Sequence, residues 1–152
     1  LKRPDTVVVF AVLDDGSILL TKQEQPGKSL FIGAAGGRVD EGEEIEEAAA
    51  RELLEETGYR AKELILWHSE QPVSKIDWAV YTFIAKGLEK VDEQRLDAGE
   101  KITLHPVTFD EFIDTALRNE FTEREIVKYI YEAKIDKQKL EELRELFRPI
   151  TQ

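Results

Sequence analysis

Three glutamates, Glu52, Glu55 and Glu56, and one arginine, Arg51, stand in a run from Glu43 to Thr57 that lacks Gly and Pro. The run is rich in Glu, Ala and Leu and reads as a helix, with Gly58 as its C-terminal stop. On a helical wheel Glu56 lies about 40° from Glu52, and Glu55 about 60° the other way, so the three carboxylates share one face. Ile45, Ala48 and Ala49 fall on that face too, with Leu53 at its margin, while Ala50 and Leu54 land on the far side. A solvated acidic face would oppose the apolar stripe instead.

Like charges at i, i+4 destabilise a helix by roughly 0.2–0.5 kcal/mol, and partial burial raises that cost. Carboxylates directed toward the fold therefore need a cation. Mg²⁺ (or Mn²⁺) suits them, because such ions take oxygen ligands, keep several waters and are shared with substrate phosphates. Ahead of the helix, Gly36-Gly37-Arg38-Val39-Asp40-Glu41-Gly42 reads as a loop whose glycines permit unusual backbone angles and close approach of a ligand. A backbone carbonyl from it would be one more oxygen ligand. By composition alone a charged surface helix is the commoner reading. The position of the glutamates on the apolar face weighs against it.

Other elements must hold this helix in place. Thr6–Leu13 is a β-branched run, Asp14-Asp15-Gly16 a turn and Ile18–Lys22 a second strand, which together read as a hairpin. Gln23–Ser29 is a loop, and Leu30–Ala35 a short strand running into Gly36-Gly37. Leu64–His68, Ala79–Ala85 and Ile102–Val107 are further strands. Thr108 with Glu111, and Thr122 with Glu125, have the spacing of capping boxes that start two helices, the first being Phe109–Leu117. Leu140, Leu143, Leu146 and Phe147 mark a last amphipathic helix. This order predicts an α/β fold, a mixed sheet covered by helices on both faces.

The chain of 152 residues, 41% hydrophobic and 35% charged, fits one globular domain over residues 1–152. Its formal charge of −11 argues against a nucleic-acid polymer as partner, since phosphate backbones want a basic surface. No apolar run approaches the ~20 residues that cross a bilayer, and the opening LKRPDT does not read as a signal peptide. Without cysteine there are no disulfides or thiolate metal sites, which fits a reducing, cytoplasmic setting. His68 and His105 are too few for a histidine metal cage and read as ordinary strand residues.

From Gly37 the sequence GRVDEGEEIEEAAARELLEETGY resembles the Nudix box, G-x5-E-x7-R-E-U-x-E-E-x-G-U, where U is a bulky aliphatic residue. Gly37, Glu43, Arg51, Glu52, Leu53, Glu55, Glu56 and Gly58 match in type and spacing, and only Tyr59 departs, a packing change. The resemblance implies the Nudix α/β/α sandwich, with a mixed sheet between helices. It also implies metal-dependent hydrolysis of a diphosphate linkage in a nucleoside diphosphate derivative. By position, Glu52, Glu55 and Glu56 look like metal ligands, with the Gly36 carbonyl as another. Arg51 resembles the arginine that orients the glutamates, and Glu43 a supporting carboxylate, while Gly37 and Gly58 are structural. A non-catalytic binding module of this fold would be expected to show a degraded box, whereas here every charged position is intact.

The segment Glu100–His105, after the acidic stretch Asp92–Glu100, is similar to a region of ADP-ribose pyrophosphatases, which makes Glu100 the candidate general base and Glu55 the alternative. Pro72, downstream of the box, points to the same ADP-ribose and nucleotide-sugar branch. A (d)NTP or dinucleoside polyphosphate is the alternative substrate. The expected partner is a small nucleotide, with a homodimer left open. Arg38, Phe31 and Trp78 are candidate substrate contacts. Trp67 and Tyr81 would also be able to stack on a base or sugar, although aromatics in strands usually pack in cores.

Overall fold

The computed structural model describes residues 2–97 and 99–150. The first strand, β1 (Thr6–Val12), is buried along nearly its whole length because both of its faces are covered. Val7, Val9 and Ala11 face one core, and Val8, Phe10 and Val12 face the other. Around it lie β2 (Ile18–Glu24), β3 (Phe31–Gly33), β4 (Ala35–Arg38), β5 (Tyr59–Glu70), β6 (Val80–Lys90) and β7 (Lys101–Val107). They form one mixed sheet in the order β3-β2-β1-β6-β5, with β4 also on β1 and β7 also on β2. The pairing of β1 with β6 is parallel, and the other pairings are antiparallel.

Helix α1 (Ile45–Thr57) covers one face through Ala48, Ala49 and Leu53, which pack on Val7, Val9 and Phe83. The opposite face is covered by α2 (Phe109–Thr115), a 3-10 turn (Arg124–Ile126), α3 (Val127–Ile135) and α4 (Lys137–Leu146). Phe112, Ile126, Ile130, Leu143 and Phe147 from this layer enclose Phe10, Ile18 and Ile84. The expected α/β sandwich is therefore present, with α1 alone on the site-bearing side.

Several boundaries differ from those the sequence predicts. Leu30–Ala35 is two strands interrupted at Ala34, and Gly36-Gly37, expected in a loop, belong to β4 opposite Val8 and Val7. Their backbone angles are not unusual; what they need is room. A Cβ at Gly36 would overlap the Val7 carbonyl oxygen, and one at Gly37 would overlap the Glu52 carboxylate. The loop glycine with positive φ is Gly42. Helix α1 begins at Ile45, after Glu44, whose N–H donates to Glu47 at 3.2 Å. Gly58, in the left-handed region at φ 77°, ends it.

The Thr108 capping box forms, with both hydrogen bonds present (2.8 and 3.1 Å), although α2 is two residues shorter than expected. The Thr122 box does not form. The Thr122 main-chain N–H donates to the Ile32 carbonyl instead (2.9 Å), and its hydroxyl does the same (3.3 Å), so the chain is tied to β3 before a 3-10 turn rather than a capped α-helix. Strands β5 and β6 are longer than predicted, since Lys62, Glu63 and Lys86 break the apolar alternation without ending the ladder.

Candidate active site

Every charged box residue lies on or just before α1, and Arg51 gathers Glu43, Glu52 and Glu55, while Glu56 is held separately by Gly36. The Arg51 Nε donates to Glu43 Oε2 (2.8 Å) and its Nη2 to Glu43 Oε1 (3.0 Å), a two-pronged pairing of guanidinium and carboxylate. Its Nη1 donates to Glu52 (2.9 Å) and, more weakly, to Glu55 (3.4 Å). Nη2 also donates to the Arg38 carbonyl (3.0 Å), and Asp40 lies 3.5 Å away. One cation thus links the start of α1, its middle and the end of β4. These bonds hold the Glu43 carboxyl below its ordinary range and push the Arg51 guanidinium further up.

Glu56 is the deepest of the three. Its carboxylate accepts the Gly36 N–H (3.1 Å), and burial, with the Glu52 charge adding to it, pushes it up to about 9. Burial also pushes Glu52 up to about 7, against the pull of Arg51. Glu55 is the most exposed, with 39% of its side chain accessible against 13% for Glu52. Exposure at that position is what an adjustable ligand or proton acceptor needs.

These residues form one wall of a cavity of about 440 Å³ that Gly36, Gly37, Arg38 and Asp40 also line. Arg95, Asp97 and Glu100 close it from the segment between β6 and β7. Glu100 is thus brought opposite the box glutamates, and its carboxylate accepts the Asp97 N–H at 2.8 Å. A second cavity of about 160 Å³ shares Gly36, Gly37 and Glu56 with the first and is bounded by Gln23, Phe31, Thr122 and Glu123. Burial pushes Glu123 up to about 8. Sequence reasoning misses Glu123 because the spacing of Thr122 and Glu125 mimics a helix start and hides the residue between them.

Trp78 lines neither cavity. Its indole N–H donates to the Thr6 hydroxyl (3.0 Å) and Arg3 stacks over its ring at 3.9 Å, so it is part of the strand support. Trp67 packs edge-on against Phe10 and Phe147, and Tyr81 against the core beneath α1.

The donor set suits a hard divalent cation. It is all oxygen, Glu52 and Glu56 are carboxylates whose charged forms burial penalises, and the principal cation among them, Arg51, is already shared. As the side chains stand, no three acidic or histidine groups among the described residues meet around one point. Glu52 gives one oxygen to Arg51 and Glu56 one to Gly36, which leaves the second oxygen of each carboxylate for a cation once the side chains converge.

With a mixed sheet between helices and this carboxylate helix after β4, the fold and site define a class. The NUDIX domain matches residues 2–130, and the chain belongs to that family. An ADP-ribose pyrophosphatase of Bacillus subtilis is 37% identical over 73% of this chain, and a methanol dehydrogenase activator of Bacillus methanolicus is 29% identical over the same share. The chain spans 62% of the length of each. A crystal structure of an ADP compounds hydrolase superposes with a TM-score of 0.73 at 22% identity, covering 88% of this chain and 72% of that one. No helix of the described residues is long and apolar enough to cross a membrane.

Proposed function

We propose that this chain is a metal-dependent pyrophosphohydrolase that cleaves the diphosphate of a nucleoside diphosphate derivative, with ADP-ribose or a nucleotide sugar as the favoured substrate. The observation that carries this reading is the single cavity that sets Glu52, Glu55 and Glu56 across from Glu100. Glu52, Glu55, Glu56 and the Gly36 carbonyl would hold Mg²⁺ or Mn²⁺, which when bound neutralises phosphate charge and acidifies a water. Arg51 orients Glu52 and Glu55, and the Gly36 N–H orients Glu56. Glu100 takes the proton of the attacking water as its oxygen bonds to one phosphorus. The bridging P–O bond breaks, and the leaving phosphate departs with that oxygen. Because phosphoryl transfer is mainly positioning and electrostatics, these tasks are what the protein must supply.

The ADP-ribose preference rests on the similarity to the Bacillus subtilis enzyme and on the paired cavities. The larger, carboxylate-lined volume suits a metal-bound diphosphate. The smaller one, with Phe31, Gln23 and Glu123, offers a ring face and polar edges to the base or sugar attached to it. Arg38 reaches the first cavity and Phe31 the second, which makes both candidate contacts.

The test is a panel of ADP-ribose, nucleotide sugars, (d)NTPs and dinucleoside polyphosphates with Mg²⁺ or Mn²⁺, products being resolved by chromatography. ADP-ribose yielding AMP and ribose 5-phosphate, abolished by chelator, is the expected result. Faster turnover of a (d)NTP would move the substrate assignment, and turnover undiminished in excess chelator would sink the metal mechanism.

A further inference from the structure

The last turn of a helix carries carbonyls that no helical N–H reaches. In α1 two of those carbonyls belong to the site residues Glu55 and Glu56, and the chain from the end of β6 into the segment before β7 supplies donors to them and their neighbours. The Arg95 N–H donates to the Glu55 carbonyl (2.6 Å), and the Lys90 ammonium to the Thr57 carbonyl (3.1 Å). The Gly58 carbonyl accepts from Val91 (2.9 Å) and Asp92 (3.2 Å). The Glu56 carbonyl accepts from a side chain, the amide Nε2 of Gln94, at 2.7 Å.

That same Nε2 donates to the Ile102 carbonyl in β7 (3.1 Å). Its two N–H groups are therefore both used, one on the helix that bears Glu55 and Glu56, the other on the strand that Glu100 leads into. Glu100 is fixed within its own segment, its N–H donating to the Asp97 carbonyl (3.0 Å) and its carboxylate accepting from the Asp97 N–H (2.8 Å). Main-chain bonds such as Arg95 to Glu55 tie that segment to α1 as well, but Gln94 is the side chain that ties it to α1 and β7 at once.

We propose that Gln94 is a positioning residue for hydrolysis: its side-chain amide, bridging the carbonyls of Glu56 and Ile102, sets Glu100 at its working distance from the glutamates of α1. The inference rests on the reading of Glu100 as general base. The task needs two N–H donors at this reach, which the glutamine amide has. A glutamate at this position would aim acceptors at two acceptors, an asparagine is one methylene short, and a leucine offers no donor. Displacement of a catalytic group by about 1 Å can cost on the order of 10²-fold in rate.

The experiment compares Gln94→Leu, Gln94→Glu, Glu100→Gln and the double variant Gln94→Leu/Glu100→Gln. Steady-state rates at saturating Mg²⁺ are measured on the best substrate of the panel, and amide hydrogen exchange on the metal-free proteins. Gln94→Leu and Gln94→Glu should each lower kcat about tenfold or more and leave KM within about twofold, the pattern of a lost transition-state contribution. Exchange should quicken in the β6–β7 segment and stay unchanged in β1. In the Glu100→Gln background Gln94→Leu should cost less than about twofold, because the residue it places is already disabled.

Full multiplication of the two losses would overturn the inference while leaving Glu100 as base. A silent Glu100→Gln beside a slow Gln94→Leu would overturn both. If the wild type hydrolyses nothing in the panel, the proposed function fails on its own. Hydrogen exchange then decides the bridge, and unchanged exchange in Gln94→Leu removes it.

Discussion

Glu56 carries its carboxylate deepest into the site, where burial opposes the charged form and the Gly36 N–H is its hydrogen-bond donor. Glu56→Gln keeps the shape and still accepts that N–H, but it removes one ligand charge. Turnover should fall by two orders of magnitude or more, on the order expected for a disabled catalytic group. Thermal stability without metal should hold or rise by a few degrees, since relief of about 1 kcal/mol moves Tm by roughly 2–4 °C at this size. Rate and melting temperature measured together check it, and a near wild-type rate at saturating Mg²⁺ would remove Glu56 from the ligand set. The depth of Glu56 is legible in the sequence, because its spacing from Glu52 puts it on the apolar face of a helix. The grip of Arg51 on Glu43 and Glu52 is not legible from spacing without the family resemblance. A wheel shows which side chains share a face and not which partner each will choose. Gln94 leaves no trace in the sequence at all. An amide in an acidic stretch looks like a solvated loop residue until the carbonyls it bridges are in place.

At the scale of elements, periodicity reveals what is amphipathic, and tertiary context decides the rest. Helix α1 and the Thr108 cap can be read because their signals are local. The Thr122 cap fails because β3 competes for the same N–H and hydroxyl. The glycines of β4 suggest flexibility in the sequence, yet they matter for closeness, and the two should respond differently to Ala. At Gly36 the obstacle is backbone, the Val7 carbonyl of the neighbouring strand, so Gly36→Ala should push β4 from β1. A loss of about 2 kcal/mol, or roughly 4–8 °C in Tm, is expected. At Gly37 the obstacle is the Glu52 carboxylate, which can swing away, so Gly37→Ala should spare most of the stability and strike activity. Equal melting temperatures for the two variants would contradict this division. The other edge of the sheet carries a second element-scale prediction. A register shift between Leu66 and His68 in β5 sets the Trp67 and His68 rings against Tyr129 of α3, and both His68 nitrogens are buried without a partner. Burial lowers the His68 pKa from its ordinary 6.5, with Glu70 opposing the shift and Lys128 reinforcing it. The unfolded chain therefore takes up a proton at His68 first as pH falls, so the cost of keeping this histidine neutral is absent above about pH 6.5 and grows below it. His68→Phe keeps a ring between Trp67 and Tyr129 and removes both orphan nitrogens. It should raise Tm, and by more at about pH 5.5 than at about pH 7. The slope that remains combines His105, lowered like His68, with Glu52, Glu56 and Glu123, whose raised carboxyls favour the folded chain as pH falls and so oppose it. An unchanged slope would clear His68 of any part in acid sensitivity.

Over the whole molecule, the formal charge of −11 and the site share one physical problem. The cavity collects carboxylates from three stretches of chain: Asp40, then Glu52, Glu55 and Glu56, then Asp97 and Glu100. Two of the nearby cations, Arg51 and Arg95, are already paired, the latter with Asp92. Repulsion inside the site therefore adds to the repulsion of the surface, and a divalent ion would relieve both while a monovalent salt would only screen the second. The two contributions can be separated by melting the protein in MgCl₂ and in NaCl of equal ionic strength. Because Mg²⁺ would bind the folded chain and not the unfolded one, it should stabilise by RT ln(1 + [Mg²⁺]/Kd), about 2.7 kcal/mol at 100 times Kd. At this chain length that is roughly 5–11 °C in Tm, and NaCl should give a smaller, non-saturating rise. The increment should shrink in Glu56→Gln, which lacks a ligand charge, and persist in Gln94→Leu, which touches only main-chain carbonyls. Superimposable melting curves in the two salts would mean that the carboxylates of α1 hold no divalent ion, and that the arrangement around Arg51 serves the fold rather than a metal.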